Sequence, residues 1–133
     1  MRTKPRQRLL LTTVAVICAA LVLPLAAPAD DGDDRKEVRV VGTCTGSSRA
    51  SLRLRADDGS IRVEFEVDSG RAGSAWNVIV LHERRIAFRA TLRSGSSRSV
   101  KFRHKLPDWF GTDRIVVRAT GPRGASCRAS ASV

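Results

Sequence analysis

The chain has 133 residues, with 24 Lys and Arg against 13 Asp and Glu, two His, two Trp, four Phe and no Tyr. One ordinary domain fits that length, and so few aromatics argue against a nucleic-acid platform built on base stacking. The strong excess of Arg over Lys is also what a GC-rich genome produces by codon drift, so the basic balance alone does not identify a ligand.

Arg2, Lys4, Arg6 and Arg8 open the chain with a positive flank free of acids. Leu9 to Ala27 is apolar apart from Thr12 and Thr13. Ala27, Pro28 and Ala29 then give the small-x-small pattern that fits the narrow pocket of a signal peptidase. This predicts a signal peptide over 1–29 and a secreted, extracellular product. The alternative is an uncleaved anchor, since about 20 apolar residues span a bilayer. Either way the basic flank stays inside and the domain lies outside. Pro24 and the Ala-rich end favour cleavage. Ile17 precedes Cys18 where a lipoprotein signal needs a small residue, so Cys18 reads as part of the signal core.

Removing the four basic residues of this segment leaves 20 bases against 13 acids, a net charge of +7. Residues 30–36 form an acidic leader, Asp30, Asp31, Gly32, Asp33, Asp34, Arg35 and Lys36, without the alternation or distal Glu of a calcium loop. The domain proper is expected over 37–133. It keeps two cysteines, Cys44 and Cys127, which in an exported domain read as a disulfide. No second Cys or His lies at zinc-ligand spacing from either.

Beyond the leader, period two dominates. Val38, Val40 and Cys44 share a face, and Leu52, Leu54 and Ala56 follow. Asp57, Asp58, Gly59 and Ser60 supply turn chemistry before Ile61, Val63, Phe65 and Val67, which predicts a β-hairpin. Trp76, Val78 and Val80 alternate with Ile79 and Leu81, a strand apolar on both faces and therefore interior to a sheet. The chain turns near His82 to Arg85. Ile86, Phe88, Ala90 and Leu92 alternate next, and after a Gly/Ser loop so do Val100, Phe102, His104 and Leu106. Pro107 to Asp113 is a loop around Gly111. Ile115, Val117 and Ala119, a turn at 121–124, and Cys127, Ala129, Ala131 and Val133 finish the chain. About eight short strands without a helix predict an all-β, two-sheet antiparallel sandwich of 7–8 strands after the signal helix. The cysteine bridge then ties its first strand to its last.

From Trp76 onward the chain resembles bacterial immunoglobulin-like and fibronectin type III-like modules. These show a Trp on a central strand and a late segment matched here by Leu106, Gly111, Ile115, Val117, Ala119 and Gly124. It is also similar to uncharacterised exported single-domain proteins of GC-rich bacteria. The resemblance implies an Ig-like sandwich outside the cell and brings no active residues with it. The chain departs from the immunoglobulin pattern in its terminal-strand disulfide and in having no tyrosine corner.

No catalytic or cofactor motif stands out, and none of the residues makes a Gly-x-Ser-x-Gly elbow. His82 and His104 have the parity of apolar faces and read as hydrogen-bonded, half-buried side chains. Glu64 and Glu66 point the same way from one strand, whereas glycosidase carboxylates oppose each other across a cleft. The most suggestive surface is basic: Arg98, Lys101, Arg103 and Lys105, with Arg53, Arg55, Arg89 and Arg93. Such rows suit an anionic envelope polymer or an acidic protein surface through salt-sensitive contacts. They also suit plain solvent-facing positions that discourage edge-to-edge pairing. Trp109 and Phe110, in a Gly-bounded loop, are the candidate partner loop. The expected function is a non-enzymatic exported binding module without a cofactor, with a small secreted enzyme inhibitor and an unrecognised hydrolase as the alternatives.

Overall fold

Inward apolar side chains at every second position drive each strand of the domain, and two sheets bury them against one another. A computed structural model describes residues 36–133. The signal segment, Cys18 and all of the leader except Lys36 lie outside the described residues. The strands are β1 (Glu37–Val41), β2 (Thr43–Cys44), β3 (Arg49–Asp57), β4 (Ser60–Asp68), β5 (Ala75–His82), β6 (Arg85–Arg93), β7 (Ser99–Pro107), β8 (Arg114–Thr120) and β9 (Ser126–Ser132). They form an antiparallel four-stranded sheet in the order β1-β3-β4-β7 and an antiparallel five-stranded sheet in the order β2-β9-β8-β5-β6. The chain is therefore an all-β, two-sheet sandwich. Its shared core runs from Leu52, Leu54, Val63 and Phe65 on one sheet to Trp76, Val78, Val80, Ile115 and Val117 on the other.

The expected first strand is in fact two. β1 pairs with β3 in the four-stranded sheet, and β2 pairs with β9 in the five-stranded sheet. Gly42 makes the crossing between them. A Cβ there would lie 2.9 Å from the carbonyl oxygen of Arg128 and 3.0 Å from the Ala50 Cβ, so the chain passes between the two sheets only as glycine. Period two continues through Gly42, and for that reason alternation alone does not reveal the change of sheet.

Cys44 and Cys127 are direct register partners on β2 and β9, with Cα atoms 4.0 Å apart and their sulfurs bonded. The disulfide thus joins neighbouring strands of one sheet. It holds the two-residue β2, which contributes few ladder bonds of its own, against the last strand.

The two tight hairpin turns each place two residues at positive φ, the geometry that matches strand twist. Asp58 and Gly59 (φ 47° and 73°) join β3 to β4, and Glu83 and Arg84 (φ 46° and 67°) join β5 to β6. The second hairpin also carries a bulge. Val80 pairs with Phe88 but Leu81 pairs with Ile86, so Ala87 is the extra residue. The bulge corrects the expected inward face of β6. Phe88, Ala90 and Leu92 point toward the core, whereas Ile86 turns out beside Leu81 and is 56% exposed.

Candidate functional site

Register determines which of the basic side chains share a surface. On the outer face of the four-stranded sheet, one row across the strands reads Glu37, Arg55, Arg62, Lys105, and the next Arg39, Arg53, Glu64, Arg103. Lys101 lies opposite Glu66. These two rows set two acids among six bases, and each acid gathers arginines around it. Arg53 reaches Glu37 at 2.7 Å and Glu64 at 3.3 Å, and Arg55 reaches Glu37 at 3.1 Å. Arg39 adds a 2.8 Å contact to the same carboxylate. Hydrogen bonds from Arg53 and then Arg39 pull the Glu37 carboxyl down to about 2, and the same Glu37 contact raises Arg53. Lys101 and Arg103 reach Glu66 and Glu64 at 3.8 and 3.7 Å.

The outer face of the five-stranded sheet differs in kind. Its side chains come from Thr43 on β2, Arg128 and Ser130 on β9, Arg114, Val116, Arg118 and Thr120 on β8, Asn77, Ile79 and Leu81 on β5, and Ile86, Arg89, Thr91 and Arg93 on β6. None is acidic. One row crosses the sheet as Arg89, Ile79, Arg118, Arg128, Thr43. Arg118 and Arg128 are directly opposed, and with strands about 4.8 Å apart the row carries three guanidinium stems over about 14 Å. Among the described residues, neither Arg89, Arg118 nor Arg128 has an ion-pair partner. Among the described residues the Arg114 side chain hydrogen-bonds the Ser130 hydroxyl at 3.4 Å, its backbone N–H being donated to the Glu83 carboxylate from the β5–β6 turn, and the Arg93 side chain reaches the Gly73 carbonyl at 3.4 Å. A shallow depression of about 810 Å³ opens over this face, between Arg114, Arg118 and Arg128 and the hydroxyls of Thr43, Thr45 and Thr120.

The eight basic candidates named from the sequence are therefore divided. Arg53, Arg55, Lys101, Arg103 and Lys105 share the face that also carries acids, and Arg89 and Arg93 belong to the acid-free one. Arg98 sits in the β6–β7 turn at φ 60°, its N–H donated to Gly95. Three residues of the acid-free face, Arg114, Arg118 and Arg128, were not among the candidates. One signal for them stands in the sequence: after Asp68 only Glu83, Asp108 and Asp113 are acidic.

A second constellation lies where β5, β8 and the β7–β8 loop meet. His82 Nε2 is 2.6 Å from Asp113 Oδ1, and both side chains are almost fully buried. Asp113 Oδ2 accepts the Trp109 N–H at 2.9 Å, and the Asp113 backbone exchanges two hydrogen bonds with Val133. Trp109 stacks on the His82 ring at 3.8 Å between centroids. Burial pushes the Asp113 carboxyl up, but hydrogen bonds from His82, Asp108 and the Trp109 N–H outweigh it and hold the group below its ordinary value. Asp108 is raised, first by its hydrogen bond to Asp113. A His–Asp pair can orient a catalytic base, yet no Ser, Thr or Cys side chain hydrogen-bonds to His82 among the described residues. The pair clasps the loop to the sheet. Phe110, next along that loop, is fully exposed. His104 lies apart, packed on Phe88 at 4.3 Å.

Among the described residues no group of three His, Cys, Asp or Glu side chains is placed to hold a metal ion. Glu64 and Glu66 face solvent on β4 among the arginines of their sheet, not across a cleft. Comparison with known proteins finds no matching family model, no matching curated protein and no matching solved structure.

Proposed function

We propose that the chain is an exported, non-enzymatic binding module of the immunoglobulin-like kind. In this reading it holds an anionic polymer at the cell envelope or outside the cell, against the outer face of the five-stranded sheet. The observation that carries this reading is the acid-free row of Arg89, Arg118 and Arg128, without an ion-pair partner among the described residues and flanked by hydroxyls. Guanidinium groups bind phosphate and carboxylate through paired N–H donors. A row of them suits a ligand that repeats its charge. No aromatic side chain of the described strands points to that face, which favours a polymer without bases to stack. Support for export comes from the basic flank, the apolar run and the Ala27–Ala29 site, and a disulfide suits an oxidising compartment. Titration with long-chain polyphosphate and with polygalacturonate tests the reading. Binding to at least one is expected, weakening steeply from low to physiological salt and lost in the Arg89→Gln/Arg118→Gln/Arg128→Gln variant. Binding that survives the triple substitution rejects it.

One observation favours a second reading, a small secreted inhibitor. The loop Pro107 to Asp113 is braced by the His82 clasp, not by the disulfide, and displays Phe110 bare. An inhibitor of this kind would lose its target on Phe110→Ala and show little response to salt.

A further inference from the structure

A depression of about 1000 Å³ lies at the end of the sandwich where the β2–β3, β4–β5 and β8–β9 loops converge. Its charged side chains are both hydrogen-bond donors. Arg71 and Arg123 contribute charge, neither with an ion-pair partner among the described residues. Ser48 and Thr120 contribute hydroxyls, as do Thr45 and Ser69, whose hydroxyls already bond backbone carbonyls, and no acid lines it.

The one aromatic lining residue, Trp76, is 1% exposed. Gly121 lies flat on its indole: a Cβ there would come within 2.6 Å of the ring. The ring face is thus closed to a nucleobase. The indole Nε1 is shut from solvent and has no hydrogen-bond partner. A buried donor left unpaired is costly unless an acceptor reaches it.

We infer that this cavity binds a single anionic saccharide unit, a polyhydroxylated ring carrying one carboxylate or phosphate. Arg71 and Arg123 take the charge and the loop hydroxyls take the ring oxygens. A ligand oxygen satisfies Trp76 Nε1 when the turn at Gly121 shifts. Thr45 and Thr120 line both this cavity and the depression on the acid-free face, so the two sites share a border. The anionic character of the ligand rests on the polymer-binding reading, and the cavity is the place where a chain end or one residue of such a polymer is recognised.

The two tryptophans allow a direct test. In a Trp109→Phe background only Trp76 emits. The purified protein is titrated with trigalacturonate, glucose 6-phosphate, glucose and inorganic phosphate, with calorimetry on the unsubstituted protein as the parallel measurement. At least one anionic sugar is expected to give a saturable change in Trp76 emission, and the choice between the two identifies carboxylate or phosphate. Glucose and phosphate alone should give none. Arg71→Gln/Arg123→Gln should weaken binding about tenfold or more. Arg89→Gln/Arg118→Gln/Arg128→Gln should leave this signal intact while removing polymer binding. Silence with both anionic sugars in both measurements overturns the inference. So does a response that survives Arg71→Gln/Arg123→Gln, or one that phosphate alone reproduces. Loss of the signal in the sheet-face variant instead assigns the effect to that face and overturns the cavity alone.

Discussion

Arg118 and Arg128 stand directly opposite each other on β8 and β9, and among the described residues no carboxylate pairs with either. Like charges in cross-strand register destabilise a sheet. On the other sheet, Arg53 and Arg55 show the usual remedy, a shared carboxylate in Glu37. The first prediction follows from that contrast. Arg128→Gln should raise stability by about 0.2–1 kcal/mol at low salt, and the gain should shrink as salt screens the pair. The same substitution should weaken polyanion binding. Urea titrations at two salt concentrations check the first half, and a loss of stability on substitution would count against an unbalanced pair.

Gly42 and Gly121 mark the two places where backbone crowds its neighbours. Gly42→Ala drives a methyl toward the Arg128 carbonyl at the change of sheet, and Gly121→Ala drives one into the Trp76 ring. Each should cost about 1–3 kcal/mol, the range for forcing extra volume into packed structure. Gly46, whose Cβ position is open, has φ +70° and should suffer only the smaller cost of backbone strain. Chemical denaturation of the three variants orders them.

His82→Ala strips the Asp113 carboxylate of its closest partner while leaving it buried. Losing one member of a buried pair costs about 3–5 kcal/mol, and the β7–β8 loop should show faster amide exchange. Phe110→Ala, at the exposed tip of the same loop, should stay within about 0.5 kcal/mol of the parent. Equal losses for the two would mean that the clasp does not hold the loop.

Acid should loosen β1 first. The folded value of Glu37 is lowered from 4.5 to about 2, so its contribution is present above pH 4.5 and is lost as pH falls toward 2. Asp113 is also held low and adds a loss of the same sign below its ordinary value, whereas the raised Asp108 stabilises at low pH and gives this up as pH rises. Glu37→Gln should flatten the stability profile between pH 4.5 and 2 and leave Asp113 behaviour untouched. Thermal midpoints against pH, with and without the substitution, measure the difference.

The sandwich was legible because its cue is local. Each inward run, such as Ile61, Val63, Phe65 and Val67, declares a strand, and Asp57 to Ser60 declares a turn. Two local features were misread where alternation continued through a change of geometry. Gly42 hides a change of sheet, and the Ala87 bulge turns Ile86 outward. The basic face was less legible because it is a property of pairing. Arg118 and Arg128 look like ordinary solvent positions until β8 is laid on β9. Lys101, Arg103 and Lys105 look like the stronger ladder until β7 is laid on β4, where Glu66 and Glu64 meet the first two. The clasp between His82 and Asp113 joins residues 31 apart in sequence and follows only from the fold.

The most direct test removes the same number of charges from each face. Polyphosphate affinity is measured against salt concentration for the parent, for Arg89→Gln/Arg118→Gln/Arg128→Gln and for Lys101→Gln/Arg103→Gln/Lys105→Gln. Each bound cation adds roughly one unit to the slope of log affinity against log salt. Substitution on the five-stranded sheet should therefore abolish binding or cut the slope by about three units. Substitution on the four-stranded sheet, where Glu66 and Glu64 already partner Lys101 and Arg103, should change it less. Equal losses from the two faces, or the larger loss from Lys101, Arg103 and Lys105, would contradict the assignment of the binding surface to Arg89, Arg118 and Arg128.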